Sequence, residues 1–384
     1  MPWKEATIMA QREDMIARHQ QGESVAQLAR AYGVSRTTVY KWVRRAQTVE
    51  AEGRMPVVAA LTDRSRRPHA SPRRTPDAIR TQVLELSARH PTWGGRKLHH
   101  ALRAQGVDAV PAPSTITTLL RQAGRLRETP PTPATWTRFE AAAPNDLWQL
   151  DFKGWHRLRD GTITPLTLLD DHSRFLLAIE GFGREQTFAQ VQPVLIRCFR
   201  TYGLPWAILC DNGPPWGISG PHAITRFDVW CMQLDIRPIH GRPLHPQTQG
   251  KLERLHRTLK ADVFGTTYTD LGTAQRACAA FRTIYNHDRP HEALAHQTPA
   301  SRYTGSARAF PDQIAPPVYA PESAVRTVSA DGTIGYAGTV VRVGAAFAGQ
   351  HVGITPTAVD GIVQVQYYSY PVKEVDLRTL NTGR

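Results

Sequence analysis

LWQLDFKGWHR, residues 147–157, is the stretch whose reading decides the fold. Its apolar and aromatic residues read as a strand, and that strand carries a carboxylate, Asp151, in its interior. Working outward, the apolar run Ala207-Ile208-Leu209-Cys210 reads as a second strand, ending on Asp211 and the turn signal Asp-Asn-Gly. Further on, HPQTQGKLERLHRTLK (245–260) becomes helical after a turn and brings Glu253 with it. Asp211 follows Asp151 by 60 residues, and Glu253 follows Asp211 by 42. Two divalent cations need acidic oxygens delivered from separate elements. A pair of such ions can hold the attacking and leaving oxygens of an in-line phosphoryl displacement. Asp151, Asp211 and Glu253 are therefore the candidate catalytic and metal-ligating residues. An aspartate at a strand end is ordinarily a cap or a turn residue, so the set carries weight that no single member does.

Around these residues the pattern alternates between strand-like and helical runs. Strands are expected at 147–157, 163–169, 174–181, 206–210 and 235–239, and helices at 187–201, 224–234, 249–263 and 270–286. Three strands joined by short turns, then helix and strand in alternation, indicate a mixed five-stranded sheet in an α/β layer domain over 140–305. Asp170 and Asp171 fall in the expected turn between the second and third strands. After a proline-rich passage, short strands separated by Gly and Asp turns imply a small all-β, barrel-like domain over 320–384.

The front of the chain is different. Of the net charge of +14, residues 1–127 supply +12, from 22 Lys/Arg against 10 Asp/Glu. A positive field concentrated at one end suits a polyanion. Residues 1–49 read as three helices. Ser24 caps the second, and Gly33-Val34-Ser35 turns the chain into a third at Arg36–Ala46. A short helix pair joined by a glycine-containing turn is a helix-turn-helix, whose second helix enters the major groove of DNA. That helix offers Arg36, Thr37, Thr38, Tyr40, Lys41, Arg44 and Arg45 as DNA contacts. A basic Pro/Arg-rich linker follows over 50–75, with Arg66, Arg67, Arg73 and Arg74 as phosphate contacts. Residues 76–127 repeat the helical theme as a second helix-turn-helix-like domain, in which Trp93 is a packing anchor. A proline-rich hinge spans 128–139.

Several classes are disfavoured. Cys198, Cys210, Cys231 and Cys278 form no C-x-x-C pair and read as reduced thiols. The start MPWKEATIMAQRED has no apolar core of signal-peptide length, and no stretch approaches a membrane span, so a soluble cytoplasmic protein is expected. His240, His245 and His256 surround Glu253 without the cysteine partners of a zinc site, and read as DNA contacts or loop packing. Asn212 is placed to hydrogen-bond near the carboxylates. On the helix bearing Glu253, Arg257 and Lys260 lie four and seven residues on, along one face. With Gln249 and Lys251 they complete the expected DNA contacts.

The words LWQLDFKG, LLDDHSRF, DNGPPW, HGRPLHPQTQGKLERLHRTLK and YNHDRPHEAL occur in one order over roughly 140–305. Together they resemble the retroviral-integrase-type catalytic core of bacterial insertion-sequence transposases, and the tandem helix-turn-helix front end is similar to three-part members of that group. The resemblance implies an RNase H-like fold, a DDE triad of Asp151, Asp211 and Glu253, and two Mg²⁺ per site, with Mn²⁺ as a substitute. It implies an enzyme of the bacterial cytosol, associated with the nucleoid, that binds the terminal inverted repeats of an insertion sequence. It would expose a 3′-hydroxyl and join it to target DNA as a homo-multimer, with no nucleotide cofactor. The separation of Asp211 from Glu253 is longer than the shortest spacing usual in the group, and GPPWGISGPHAIT reads as the local insertion responsible. Two other readings stand beside this one: a DNA-binding regulator with an inactive core, and an RNase H-like nuclease that cuts without joining.

Overall fold

The computed structural model describes residues 7–52, 61–63, 74–126, 139–217, 224–241 and 250–380. Arg66, Arg67, Arg73, His245 and Gln249, with most of the expected linker and hinge, lie outside the described residues. The chain divides into two compact units, Met1–Arg74 and Thr75–Arg384.

The first unit is helical: α1 (Ile8–Gln20), α2 (Val25–Ala31) and α3 (Arg36–Glu52). Ser24 and Gln27 close a reciprocal capping box at the start of α2, satisfying orphan amides of its first turn. Gly33 stands at φ 63°, a left-handed position that glycine takes without strain, and lets the chain leave α2 for α3. Leu28, Val39, Trp42 and Val43 meet Met15 and Ile16 in a common core. Helix α3 runs six residues past the expected end at Ala46, because Gln-Thr-Val-Glu-Ala-Glu contains no breaker.

The second unit opens with α4 (Asp77–Arg89), α5 (Gly95–Ala104) and α6 (Pro113–Gln122). Trp93 is 4% exposed, stacked on His90 with centroids 3.9 Å apart, as a packing anchor should be. A Cβ on Gly95 would run into Pro113 O and Thr117 Oγ1, so the close crossing of α5 and α6 requires glycine there.

The central sheet contains β1 (Trp148–Phe152), β2 (His156–Leu158), β3 (Gly161–Asp170), β4 (Leu176–Phe182), β5 (Ala207–Cys210) and β6 (Arg237–His240). The main order is β4-β3-β1-β5-β6, antiparallel on the β4 side and parallel between β1, β5 and β6. The sixth strand comes from the run read as 147–157. Pairing of β1 with β3 carries on to the Lys153 amide, which donates to Pro165 O at 2.8 Å, and after Gly154 the chain pairs afresh as β2 with the start of β3.

Helices α7 (Phe188–Tyr202), α8 (Arg226–Gln233), α9 (Gly250–Asp262) and α10 (Leu271–Thr283) complete the layers. Trp148, Leu150, Leu166 and Leu168 pack with Val191, Leu195 and Phe199 of α7. Leu169, Leu176 and Ile179 pack instead with Leu252, Leu255 and Leu259 of α9 and Phe281 of α10. Side chains alternate across a strand. Asp151, between Leu150 and Phe152, is therefore aimed at the α9 face. This is the mixed sheet with flanking helices that the resemblance implied.

The C-terminal region is all-β, as expected, but it forms no closed barrel. Strands β7 (Ala324–Thr327), β10 (His351–Pro356), β11 (Ile362–Tyr367) and β12 (Tyr370–Asp376) make an open antiparallel sheet in the order β12-β11-β10-β7, while β8 (Thr333–Tyr336) and β9 (Thr339–Arg342) form a separate ribbon. The sheet has no need to close on itself because α8 covers its apolar face: Val229 and Met232 share one core with Val352, Ile354, Val365 and Tyr367. Gln233 Nε2 donates to Tyr367 Oη at 2.8 Å across the same junction. Among the described residues no helix is long and apolar enough to cross a membrane, and the four cysteines are buried and free.

Candidate active site

Asp151 lies in β1, paired in register with Thr167 of β3. Asp211 follows the last residue of β5, the parallel neighbour of β1 on its other side. Its Oδ1 accepts from the Gly213 amide at 3.2 Å, the turn that Asp-Asn-Gly dictates. Glu253 stands in the first turn of α9, the helix packed over the β3–β4 half of the sheet, where the positive end of the helix dipole favours a carboxylate.

The three charges reach one another through Asp151. Burial first, then the negative field of Asp211, pushes the Asp151 carboxyl up to about 7. The Phe152 amide and Lys153 oppose the rise, and Glu253 adds to it. Asp211 is also raised, chiefly by burial, against the pull of the Gly213 amide and His240. Crowded carboxylates that resist ionising are stabilised by a cation placed among them. Among the described residues, no three His, Cys, Asp or Glu side chains stand close enough to hold one ion together. The coupling is pairwise, Asp151 with Asp211 and Asp151 with Glu253.

Two histidines support the carboxylates from behind. The Thr167 hydroxyl donates to Asp151 O at 3.1 Å and lies 2.8 Å from His256 Nε2. Because the hydroxyl proton is spent on Asp151 O, the proton between Thr167 and His256 must come from Nε2. Nδ1 is then left bare, 3.8 Å from Asp151 Oδ2. Burial, with a smaller contribution from Lys153, lowers His256 to about 4, consistent with a neutral ring. His240 Nε2 bonds Asp228 Oδ1 at 2.8 Å while its Nδ1 lies 3.3 Å from Asp211 O. The Asp228 bond raises the His240 pKa, so this ring carries positive charge toward Asp211 more readily than a free imidazole. Sequence reasoning missed Thr167 and Asp228. Thr167 lies within the strand expected at 163–169 and Asp228 within the helix expected at 224–234, where it also closes a capping box with Thr225. His240 and His256 were noticed, but as DNA contacts or loop packing, and both turn inward to the site.

Lys251 also turns inward. Its ammonium pairs with Asp171 and donates to Asp171 O at 3.1 Å, leaving the side chain 15% exposed. Asp171 is fully buried and accepts from the Ala141 amide at 2.7 Å and Gln149 Nε2 at 2.6 Å. The pair fastens the start of α9 to the β3–β4 turn, so Lys251 is occupied inside the fold. Asp170 likewise serves the turn, accepting from Ser173 and from the Asn145 amide. Asn212 Nδ2 donates to Gly241 O and ties the ends of β5 and β6 together. Arg257 and Lys260 remain exposed on α9.

In the first unit, Arg36, Thr37, Tyr40, Lys41 and Arg44 are exposed on α3. Thr38 is partly buried, and its amide donates to Ser35 Oγ at 3.1 Å, the cap of α3. Arg45 leans over the Trp42 ring at 4.9 Å and donates to Thr62 O at 3.4 Å. Arg74 is described and exposed at the edge of the linker.

Family models match nearly every part of this layout. Two described as integrase core domain match residues 141–246 and 234–299. Two described as homeodomain-like domain match 9–54 and 38–120. One described as IS481 family transposase, C-terminal domain matches 323–383. The chain is 27% identical over 235 residues to an insertion element IS476 uncharacterized 39.2 kDa protein of Xanthomonas euvesicatoria, covering 58% of this chain and 64% of that one. It is 34% identical over 149 residues to the Gag-Pro-Pol polyprotein of Mason-Pfizer monkey virus, covering 38% of this chain but only 8% of the polyprotein. A chain of the simian T-cell lymphotropic virus intasome in complex with PP2A regulatory subunit B56 gamma aligns over 76% of this chain and 99% of its own, with a TM-score of 0.37 and 17% identity. Homeodomain-like domains in front, an integrase core between and an IS481-type transposase domain behind together support an insertion-sequence transposase with an integrase core.

Proposed function

We propose that this chain is a DDE transposase that cuts at the ends of an insertion sequence and joins the freed 3′-hydroxyl to target DNA. The observation that carries the reading is the position of Asp151, whose ionisation is opposed by both Asp211 and Glu253 from separate elements. Asp151, Asp211 and Glu253 would be the residues that hold two Mg²⁺ ions, with Mn²⁺ able to replace them. When bound, the ions would supply Lewis-acid stabilisation of the attacking and leaving oxygens.

The remaining work falls to the protein's own groups. Thr167, backed by His256, holds the Asp151 backbone in place, and His240 does the same for the Asp211 backbone. Arg257 and Lys260 face the phosphodiester strand beside Glu253. The helix-turn-helix units bind the terminal inverted repeats, with α3 presenting Arg36, Tyr40, Lys41 and Arg44 to the groove. In the first step water forms a bond to phosphorus as the P–O3′ bond breaks, and the element's 3′-oxygen leaves and takes up a proton. In the second, that hydroxyl forms a P–O bond in the target while a target 3′-oxygen leaves. Bonds are exchanged without net loss, so no nucleotide is consumed. Joining two ends to one target calls for at least two protomers on DNA.

The test is an assay with labelled duplexes carrying the inverted repeats that flank the reading frame, a target plasmid and Mg²⁺. Joined product that disappears in Asp151→Asn, Asp211→Asn and Glu253→Gln, with the gel shift retained, is the expected result. Strand joining that survives any of the three substitutions would refute the site. Cleavage without joining would leave a nuclease, and binding alone a regulator.

A further inference from the structure

Past Asp151 the chain runs through Phe152-Lys153-Gly154-Trp155 before re-entering the sheet as β2. Trp155 is 67% exposed. Trp206 is exposed too, but the Arg308 guanidinium covers its ring at 4.1 Å. No ring or cation lies over Trp155 among the described residues. Leaving so large an apolar ring in water forgoes burial energy that the fold could otherwise use.

The ring is nonetheless carried on a fixed frame. The Lys153 amide donates to Pro165 O at 2.8 Å on one side, and His156 pairs with Ile163 on the other. The His156 ring lies flat on Phe264, with centroids 4.1 Å apart and planes 2° from parallel. The surroundings are cationic: Lys153, Arg157 and Arg159 flank Trp155, and no acidic residue occurs between Asp151 and Asp160. Lys260 of α9 acts electrostatically on both Lys153 and His156, which brings the exposed face of that helix to the same place.

We propose that Trp155 is a stacking platform for a nucleobase of the DNA strand held at the three carboxylates, with Lys153, Arg157 and Lys260 taking the adjacent phosphates. The proposal rests on the polynucleotide-transfer reading above and adds to it a base-binding subsite. An indole set among cations matches a nucleic-acid strand, whose bases present π-faces and whose backbone presents anions. Four residues of chain reach at most about 14 Å, so the base lies within roughly four steps of the scissile phosphate.

The full-length protein would be given two duplexes in turn, each with 2-aminopurine at the positions within that reach. One carries the inverted repeat that flanks the reading frame and the other is a plain target duplex. Quenching on binding that Trp155→Ala abolishes and Trp155→Phe largely keeps is the expected result, together with a fall in joining of about ten-fold for the alanine variant alone. Signal in the first duplex assigns the base to the element's end and signal in the second assigns it to the target; either supports the platform. Quenching unchanged in Trp155→Ala overturns it, whatever happens to joining. Asp151→Asn separates this from the underlying reading, since it should lose joining and keep the quench. Failure of the unaltered protein to bind either duplex would overturn both together. Because the side chain is exposed, the variants should melt with the unaltered protein, and a melt lowered by several degrees would mark the ring as structural and overturn the proposal.

Discussion

The two sheets of the second unit are built from strands of similar pattern, yet they differ in what they bury. The C-terminal sheet encloses Val352, Ile354, Val363 and Val365 with the ring of Tyr367, and no charged side chain. The central sheet encloses apolar residues on both faces and, with the elements packed on it, a set of charged ones: Asp170, Asp171 and, on α8, Asp228 are at most 3% exposed, and Asp151 is held well above its ordinary ionisation range. Burying charge costs stability unless it is paired. Asp171 has Lys251 and Asp228 has His240, whereas Asp151 takes the negative fields of Asp211 and Glu253. A fold carries such a cost where chemistry needs it. Both sheets bury apolar side chains, and buried charge is what distinguishes them.

That contrast can be broken most directly at the carboxylates. Asp151→Asn, Asp211→Asn and Glu253→Gln should each lower strand joining by on the order of 10³-fold or more, read as joined product per hour, while end binding stays within about two-fold. A loss of similar size from Val352→Ala, in protein that is still folded, would erase the distinction. Next comes the pair behind the site. Lys251→Met leaves Asp171 buried and unpaired, and should cost about 3–5 kcal/mol in urea denaturation. If the change is neutral, the pair does not anchor α9.

In the C-terminal sheet, Ile354→Ala should cost about 2–5 kcal/mol through cavity formation, with joining per folded molecule unchanged. Activity falling beyond the folded fraction would show that α8, which carries Asp228 and also covers this sheet, couples the two regions.

A smaller effect follows from pH. The folded pKa of Asp151, about 7, lies above its ordinary 3.8, so the folded chain holds this proton more tightly than the unfolded one. The stability so contributed is full below about pH 4 and is lost as pH rises to 7. In chelator, the melting temperature of the unaltered protein should therefore fall further between pH 4.5 and 7.5 than that of Asp151→Asn, and Mg²⁺ should restore part of the loss at the upper end. Parallel profiles would place the Asp151 carboxyl in ordinary solvent. The least effect belongs to the exposed cations: Arg257→Ala or Lys260→Ala should each reduce the slope of log affinity against log salt by about one.

Helix α9 shows how far the sequence could be read. Glu253, Arg257 and Lys260 were placed on one face by spacing. The same spacing sets Leu252, Leu255 and Leu259 on the buried stripe, and His256 falls on it as well. Its inward direction was thus legible, but its partner was not, because Thr167 lies 89 residues earlier. Lys251 read as a DNA contact because a lysine beside the motif glutamate suits phosphate; only the fold brought Asp171 beneath it. The C-terminal strands were readable one by one. Their failure to close was not, because the covering surface is supplied by Val229 and Met232 of α8, nearly a hundred residues upstream of β7.

By itself the sequence determined the element types, the alternation that aims Asp151 at one face of the sheet, the strand-end position of Asp211 and the helical position of Glu253. Those properties follow from local backbone geometry, whose periods of 2 and 3.6 residues are written in the order of apolar and polar side chains. Tertiary structure alone decided which charges are neutralised and which are left facing one another. That outcome depends on contacts between distant segments, such as Lys251 with Asp171 across 80 residues, and no local pattern encodes them.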